Sequence, residues 1–218
     1  MAREVESPAV PTTPAQRARY ERVLRAGTDI LTAGGEDALQ MKELAQRAEV
    51  SLDTLYRYFP SKEHVLAAIA VDRYERAYQK VVADPPHGGS VRERVTDYLL
   101  REFGTGQRNE KLTAALVRVR HQTSRAYGEV VEGLFQRHLD ILRVVGESRG
   151  PMTEQQRRSL TVVAQVFGFA MTGWLSGMFS AADSRFQIRL GCRLLDLPDE
   201  DVTQDLEEAR HAARPAHL

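Results

Sequence analysis

Apolar residues recur along most of this 218-residue chain at intervals of three and four, and no sustained alternation of apolar and polar positions marks a strand. The pattern predicts an all-α fold. Tyr20, Val23, Leu24, Gly27 and Leu31 form one stripe on a first helix that Gly34 and Gly35 terminate. After the link from Glu36 to Gln40, Met41, Leu44, Ala45 and Ala48 mark a very short second helix, with Val50 in the turn behind it. Ser51 is placed to cap a third helix that runs to about Phe59, where Pro60 stops it. Ser61 is placed to cap a long fourth helix through Lys62, Val65, Leu66, Ile69 and Tyr74, which lasts until the proline and glycine cluster from Asp84 to Gly89. Further helices are expected at about 91–106, 110–124, 127–148, 153–180 and 184–196, separated by Gly104 and Gly106, Tyr127-Gly128, Gly150-Pro151 and Asp183.

These elements divide the chain into a disordered arm over 1–14, a three-helix head over 15–62, a larger helical domain over 63–198 and a frayed tail over 199–218. The opening MAREVESPAVPTTPAQ carries acids and prolines where a secretory leader needs an apolar stretch. With 42% hydrophobic residues the chain can bury a substantial core. Thirty basic residues against thirty acidic ones leave no net charge, so any contact with nucleic acid must come from a local patch. Cys192, the single cysteine, excludes an intramolecular disulfide framework and a cysteine-rich zinc site, and fits a reducing cytoplasm. Leu160 to Ala182 holds no charged residue and is long enough to cross a bilayer. Its polar residues, Thr161, Gln165, Thr172, Ser176 and Ser180, and its three glycines read instead as a central helix buried on every side, partly by a second chain; no membrane contact is expected.

Two short helices joined by a tight turn make a helix-turn-helix, whose second helix can lie in a major groove about 12 Å wide. Leu52, Leu55 and Phe59 form the expected inward stripe, leaving Thr54, Tyr56, Arg57 and Tyr58 as donors for phosphates, although both tyrosines could equally serve packing. Lys62 stands where a helix begins, so its charge joins the amides there in an anion site. The stretch MKELAQRAEVSLDTLYRYFPSKEHVLAAI, and TLYRYFPSK within it above all, resembles the DNA-binding head of the TetR family. The resemblance is strong over the first quarter of the chain; beyond it only helix count, length and apolar character match. It implies a dimer on palindromic operator DNA, with contacts from Lys42 and from Ser51, Leu52, Asp53, Thr54, Tyr56, Arg57 and Tyr58, and a phosphate clamp at Lys62. Gln40 stands where many relatives have a capping threonine, Glu49 where they usually have glycine, and Asp53 where glycine is frequent. If the backbone at Glu49 is left-handed, the expected cost is about 1 kcal/mol.

In the larger domain the aromatic and flexible apolar residues far outnumber catalytic polar ones. A cavity for a hydrophobic effector follows from the resemblance, lined by Phe103, Leu116, Val119, Arg120, Tyr127, Phe135, Phe167, Met171 and Trp174. Arg118, Arg120 and His121 read as a receiver for an anionic group or as a solvated basic face. Gly173 and Gly177, one turn apart on the uncharged helix, with Gly168 before them, allow close approach of another helix. The last two helices are therefore the expected dimer bundle. GQRNEKLTAAL and GWLSGMF, together with the head, also resemble actinobacterial TetR-type repressors of cholesterol and steroid catabolism, which implies a steroid-derived effector or its coenzyme A thioester. An efflux or other regulator with an unrelated ligand, and a helical adaptor without a DNA role, are the alternatives. Catalysis is not expected and no cofactor is implied, because the histidines at 64, 87, 121, 138, 211 and 217 are scattered and none makes a ligand pair with Cys192.

Overall fold

The computed structural model describes residues 10–120 and 128–198, together with 200 and 204. Those residues form α-helices and short 3-10 turns, with no strand among them. The helices are α1 (Pro14–Gly34), α2 (Met41–Arg47), α3 (Leu52–Tyr58), α4 (Lys62–Ala83), α5 (Val91–Arg108), α6 (Glu110–Arg120), α7 (Gly128–Glu147), α8 (Glu154–Leu175) and α9 (Ala181–Cys192). They belong to two compact units: residues 1–77 with 105–136, and 78–104 with 137–218. The domain boundary expected after Lys62 lies inside the first unit.

Side-chain caps start several of these helices. Thr13 Oγ1 accepts from the Gln16 amide while Gln16 Oε1 accepts from the Thr13 amide, a reciprocal box that starts α1 inside the segment expected to be an arm. Thr153 with Gln156 and Ser180 with Asp183 repeat the device at α8 and α9. Asp183, expected as a separator, is thus a capping residue. Gly104 and Gly106 do not interrupt α5, which continues through both to Arg108.

The first unit packs α1, α2, α3, the start of α4 and α6 around Leu24, Ile30, Leu31, Leu44, Leu55, Phe59, Val65 and Ile69. Gly27 permits this spacing, since a Cβ there would stand 2.8 Å from Ile69 Cδ1. Leu112, Ala115 and Val119 carry α6 into the same core, and Lys111 Nζ donates to the Ala33 carbonyl at 2.8 Å.

In the second unit α5, α7, α8 and α9 bury Val95, Leu99, Phe103, Leu142, Val145, Val163, Phe167 and Ile188. Arg94 is buried, and its guanidinium donates to the carbonyls of Gly89, Val145 and Gly146, tying the end of α7 to the turn before α5. Cys192 is fully buried, and burial raises its thiol pKa. No helix among the described residues is long and apolar enough to cross a membrane.

The helix expected over 153–180 ends at Leu175, and Gly177 lies in the following turn with φ +73°. Gly173 is covered by its own chain: a Cβ there would stand 2.2 Å from the ring of Phe179, whose amide donates to the Gly173 carbonyl at 3.1 Å. The two glycines therefore make a tight reversal into α9 and not a stripe on one helix. His121 and Tyr127 lie outside the described residues.

Glu49, in the turn between α2 and α3, has φ +54°, a left-handed backbone that a side chain resists. Glu49→Gly should stabilise the protein by about 0.5–1 kcal/mol and raise its melting temperature by roughly 1–3 °C. Calorimetry checks this, and a lowered melting temperature would show that the turn carries no strain.

Candidate nucleic-acid interface and effector domain

A seven-residue helix reaches its place only if something else holds it. At the start of α3, Ser51 Oγ accepts from the Thr54 amide at 3.1 Å and donates to Thr54 Oγ1 at 2.8 Å. Leu55, Tyr58 and Phe59 face inward. Tyr20 on α1 meets the Tyr58 ring edge-on at 5.8 Å and the Phe59 ring at 4.9 Å. From α1, Arg22 Nε donates to the Ala48 carbonyl at 3.2 Å, pinning the end of α2.

The inward stripe therefore differs from the one expected. Leu52 is 41% exposed because it opens the helix, beyond the reach of the core, whereas Tyr58 is 3% exposed and completes the i, i+3, i+4 set with Leu55 and Phe59. The Tyr58 hydroxyl is buried with no hydrogen-bond partner among the described residues, so it is no phosphate donor in this conformation. Its ring is core. The solvent face of α3 carries Ser51, Leu52, Asp53, Tyr56 and Arg57, with Arg57 5.5 Å above the Tyr58 ring. Thr54 is half-buried and engaged by Ser51. Lys42 is exposed in the first turn of α2, and Gln40 occupies the N-cap without capping, its amide nitrogen donating instead to the Asp37 carbonyl at 3.1 Å.

Lys62 opens α4, where free amides converge. Its Nζ lies 3.7 Å from Glu36 Oε1, and Arg118 Nη1 lies 3.1 Å from Glu36 Oε2. Arg118 is 66% exposed, as expected of a solvated basic face, and its guanidinium also meets a carboxylate of the head. Sequence reasoning missed Glu36 because its partners stand 26 and 82 positions away. Beside it, Ser61 Oγ donates to Glu63 Oε2 at 2.5 Å, and this hydrogen bond helps hold the Glu63 carboxyl below its ordinary pKa.

The residues expected to line an effector cavity fall in both units. In the second, Phe103 meets Trp174 edge-on at 5.5 Å, Arg185 stands 5.4 Å above the Phe103 ring, and His138 stacks on Phe167 at 5.6 Å, with Met171 buried one turn further along α8. In the first, Val119 is buried in the core, Leu116 packs against it, and Phe135 is half-buried. Arg120 ends α6. On α8 and α9, Val162, Phe169, Phe186 and Leu190 are exposed, and a groove of about 620 Å³ runs among Gln165, Val166, Phe169, Leu190 and Leu194.

Residues 23–69 match the model of bacterial regulatory proteins of the tetR family. The chain is 34% identical over 188 residues to the HTH-type transcriptional repressor KstR of Mycolicibacterium smegmatis, covering 83% of this chain and 88% of that protein. The chain belongs to the TetR family. It is also 31% identical to KstR of Mycobacterium tuberculosis, over 86% of this chain and 84% of the relative. A crystal structure of a TetR transcriptional regulator from Rhodococcus sp. RHA1 superposes with a TM-score of 0.72 at 29% identity, covering 84% of this chain and 97% of that one. FadR from Bacillus subtilis, solved with stearoyl-CoA, shares the fold at 16% identity, with a TM-score of 0.61 over 81% of this chain and 97% of that one. The protein is a TetR-type transcriptional repressor and not an enzyme.

Within this TetR-family head Tyr56 is exposed and Tyr58 buried, and their hydroxyls allow the two positions to be told apart. Tyr56→Phe should weaken binding to a specific duplex several-fold with an unchanged melting temperature, as expected for one lost hydrogen bond. Tyr58→Phe should leave DNA affinity unchanged and match or exceed the wild-type melting temperature, because it removes a buried hydroxyl that has no partner among the described residues. Fluorescence anisotropy with thermal melts separates the two. The assignment fails if Tyr58→Phe loses affinity at constant stability.

Proposed function

We propose that this repressor binds a palindromic operator as a homodimer, in the cytoplasm, and is released by a hydrophobic effector, a steroid-derived metabolite or its coenzyme A thioester, so controlling genes of steroid or lipid breakdown. The observation that carries this reading is the extent of the likeness to KstR: identity above 30% runs over more than four fifths of the chain, well beyond residues 23–69 that match the family model. The stearoyl-CoA bound to FadR supports an acyl-CoA type of ligand on the same fold.

Lys42, Ser51, Leu52, Asp53, Tyr56 and Arg57 face the DNA, with Lys62 on a phosphate. Gln40 and Thr54 bracket this surface, held by Asp37 and Ser51. Phe103, Phe167, Met171 and Trp174 receive the effector within the second unit, where aromatic edges suit a fused-ring or acyl ligand. A second copy covers the apolar face of α8 and α9, where Val162, Phe169, Phe186 and Leu190 are each about half exposed beside an apolar groove.

Sequencing duplexes recovered by the purified protein from fragmented genomic DNA tests the function directly. A single palindrome beside lipid-breakdown genes is expected; recovery of unrelated fragments would overturn the reading. Steroid and acyl-CoA compounds are then titrated with and without the recovered duplex. The effector should lower DNA affinity, and the duplex should lower effector affinity by the same factor. Equal effector affinity in both titrations would show that binding and release are uncoupled.

The dimer makes its own prediction. Leu190→Asp, a charge placed on an exposed position of α9, should convert the dimer to a folded monomer and lower operator affinity at least tenfold, because two linked heads bind far more tightly than one. Light scattering and anisotropy measure both. A wild-type protein that is monomeric at micromolar concentration would exclude this interface.

A further inference from the structure

The reading of Lys62 as a phosphate clamp leaves its nearest acidic neighbour unexplained. Glu36 lies in the 3-10 turn between α1 and α2, with its side chain only 21% exposed, and reaches Lys62 with one oxygen and Arg118 with the other. A carboxylate 3.7 Å from the ammonium competes with a DNA phosphate for the same charge. A guanidinium 3.1 Å away on the opposite oxygen, itself 66% exposed, weakens that competition by sharing the carboxylate as an ion pair. Lys62 is 26% exposed, so a phosphate can still approach it.

We propose that Glu36 is an internal competitor for Lys62, and that Arg118 is a positioning residue which draws Glu36 away and so sets the strength of the phosphate contact. Arg118 acts from α6, whose place is fixed by the buried Leu112, Ala115 and Val119 and by the hydrogen bond from Lys111 to the end of α1. Any shift of α6 by the few ångströms that separate Arg118 from Glu36 leaves the carboxylate to Lys62 alone. The inference rests on Lys62 contacting phosphate, as proposed above.

The test measures the affinity of the full-length protein for a fluorescein-labelled duplex of the recovered sequence across a KCl series, with thermal melts to establish folding. Glu36→Gln should tighten binding roughly two- to fivefold, the range of a partly exposed ion pair. Arg118→Gln should weaken it by a similar factor, and Arg118→Lys should restore most of the loss. These opposite signs alone would also arise if each charge acted on DNA through space, so the combined variants decide. In a Glu36→Gln background, Arg118→Gln should have no further effect, and in a Lys62→Ala background both substitutions should be silent. Additive effects would overturn the proposal while leaving the Lys62 clamp intact. Weakening by Glu36→Gln would reduce the cluster to a structural role. Should Lys62→Ala fail to lower the salt slope by about one unit, the clamp itself falls and the proposal with it.

Discussion

A helix of seven residues has too few internal hydrogen bonds to persist in water, so the position of α3 is a property of its surroundings. Leu55, Tyr58 and Phe59 supply the anchorage, with Tyr20 against two of the rings and Arg22 holding the end of α2. Everything the head presents outward, from Leu52 to Arg57, is aimed by what these residues do inward. Gly27 sets how deep the slot is, because the α1 backbone can approach α4 only where no Cβ intervenes. A recognition helix that rocked would spread its contacts over several registers, so rigidity of this kind suits a helix that reads DNA.

Local features of the sequence were legible because their causes are local. The first stripe, the cap at Ser51 and the stop at Phe59 each depend on residues a few positions apart, whereas the left-handed turn at Glu49 was suggested only by the glycine that relatives usually have there. The family of the head was legible for the same reason, since TLYRYFPSK is contiguous. Elsewhere spacing alone was ambiguous. Positions 52, 55 and 59 fit a helical stripe as well as 55, 58 and 59 do, and only the place of Leu52 at the helix end decides between them. Glycine in a helix costs about 1 kcal/mol, which led to expected breaks at Gly104 and Gly106 that tertiary packing overrides. Gly173 and Gly177 looked alike in sequence and differ in kind: one admits Phe179, and the other turns the chain. The Glu36 pairings join residues far apart in sequence, where no periodicity reaches.

The charges of the head are largely spoken for within the protein. Arg47 pairs with Glu43 at 2.6 Å, Arg25 with Glu21 at 3.6 Å, and Arg22 caps a carbonyl. In a chain with no net charge this pairing limits the diffuse attraction that draws basic proteins to any duplex. Selectivity then depends on a small number of well-placed contacts rather than on a strong field. That arrangement makes one additional or missing charge near a phosphate count for more than it would on a strongly basic surface.

Cys192 adds a chemical consequence. Nucleophilic attack on an oxidant requires a thiolate with access to solvent, and this sulfur has neither property, being fully buried and held in its protonated form by that burial. Peroxide or disulfide stress that modifies exposed thiols elsewhere in a cell would leave this thiol of the folded repressor untouched. The native thiol is equally silent toward maleimide dyes, so a single cysteine introduced at an exposed position of the head would carry a label alone.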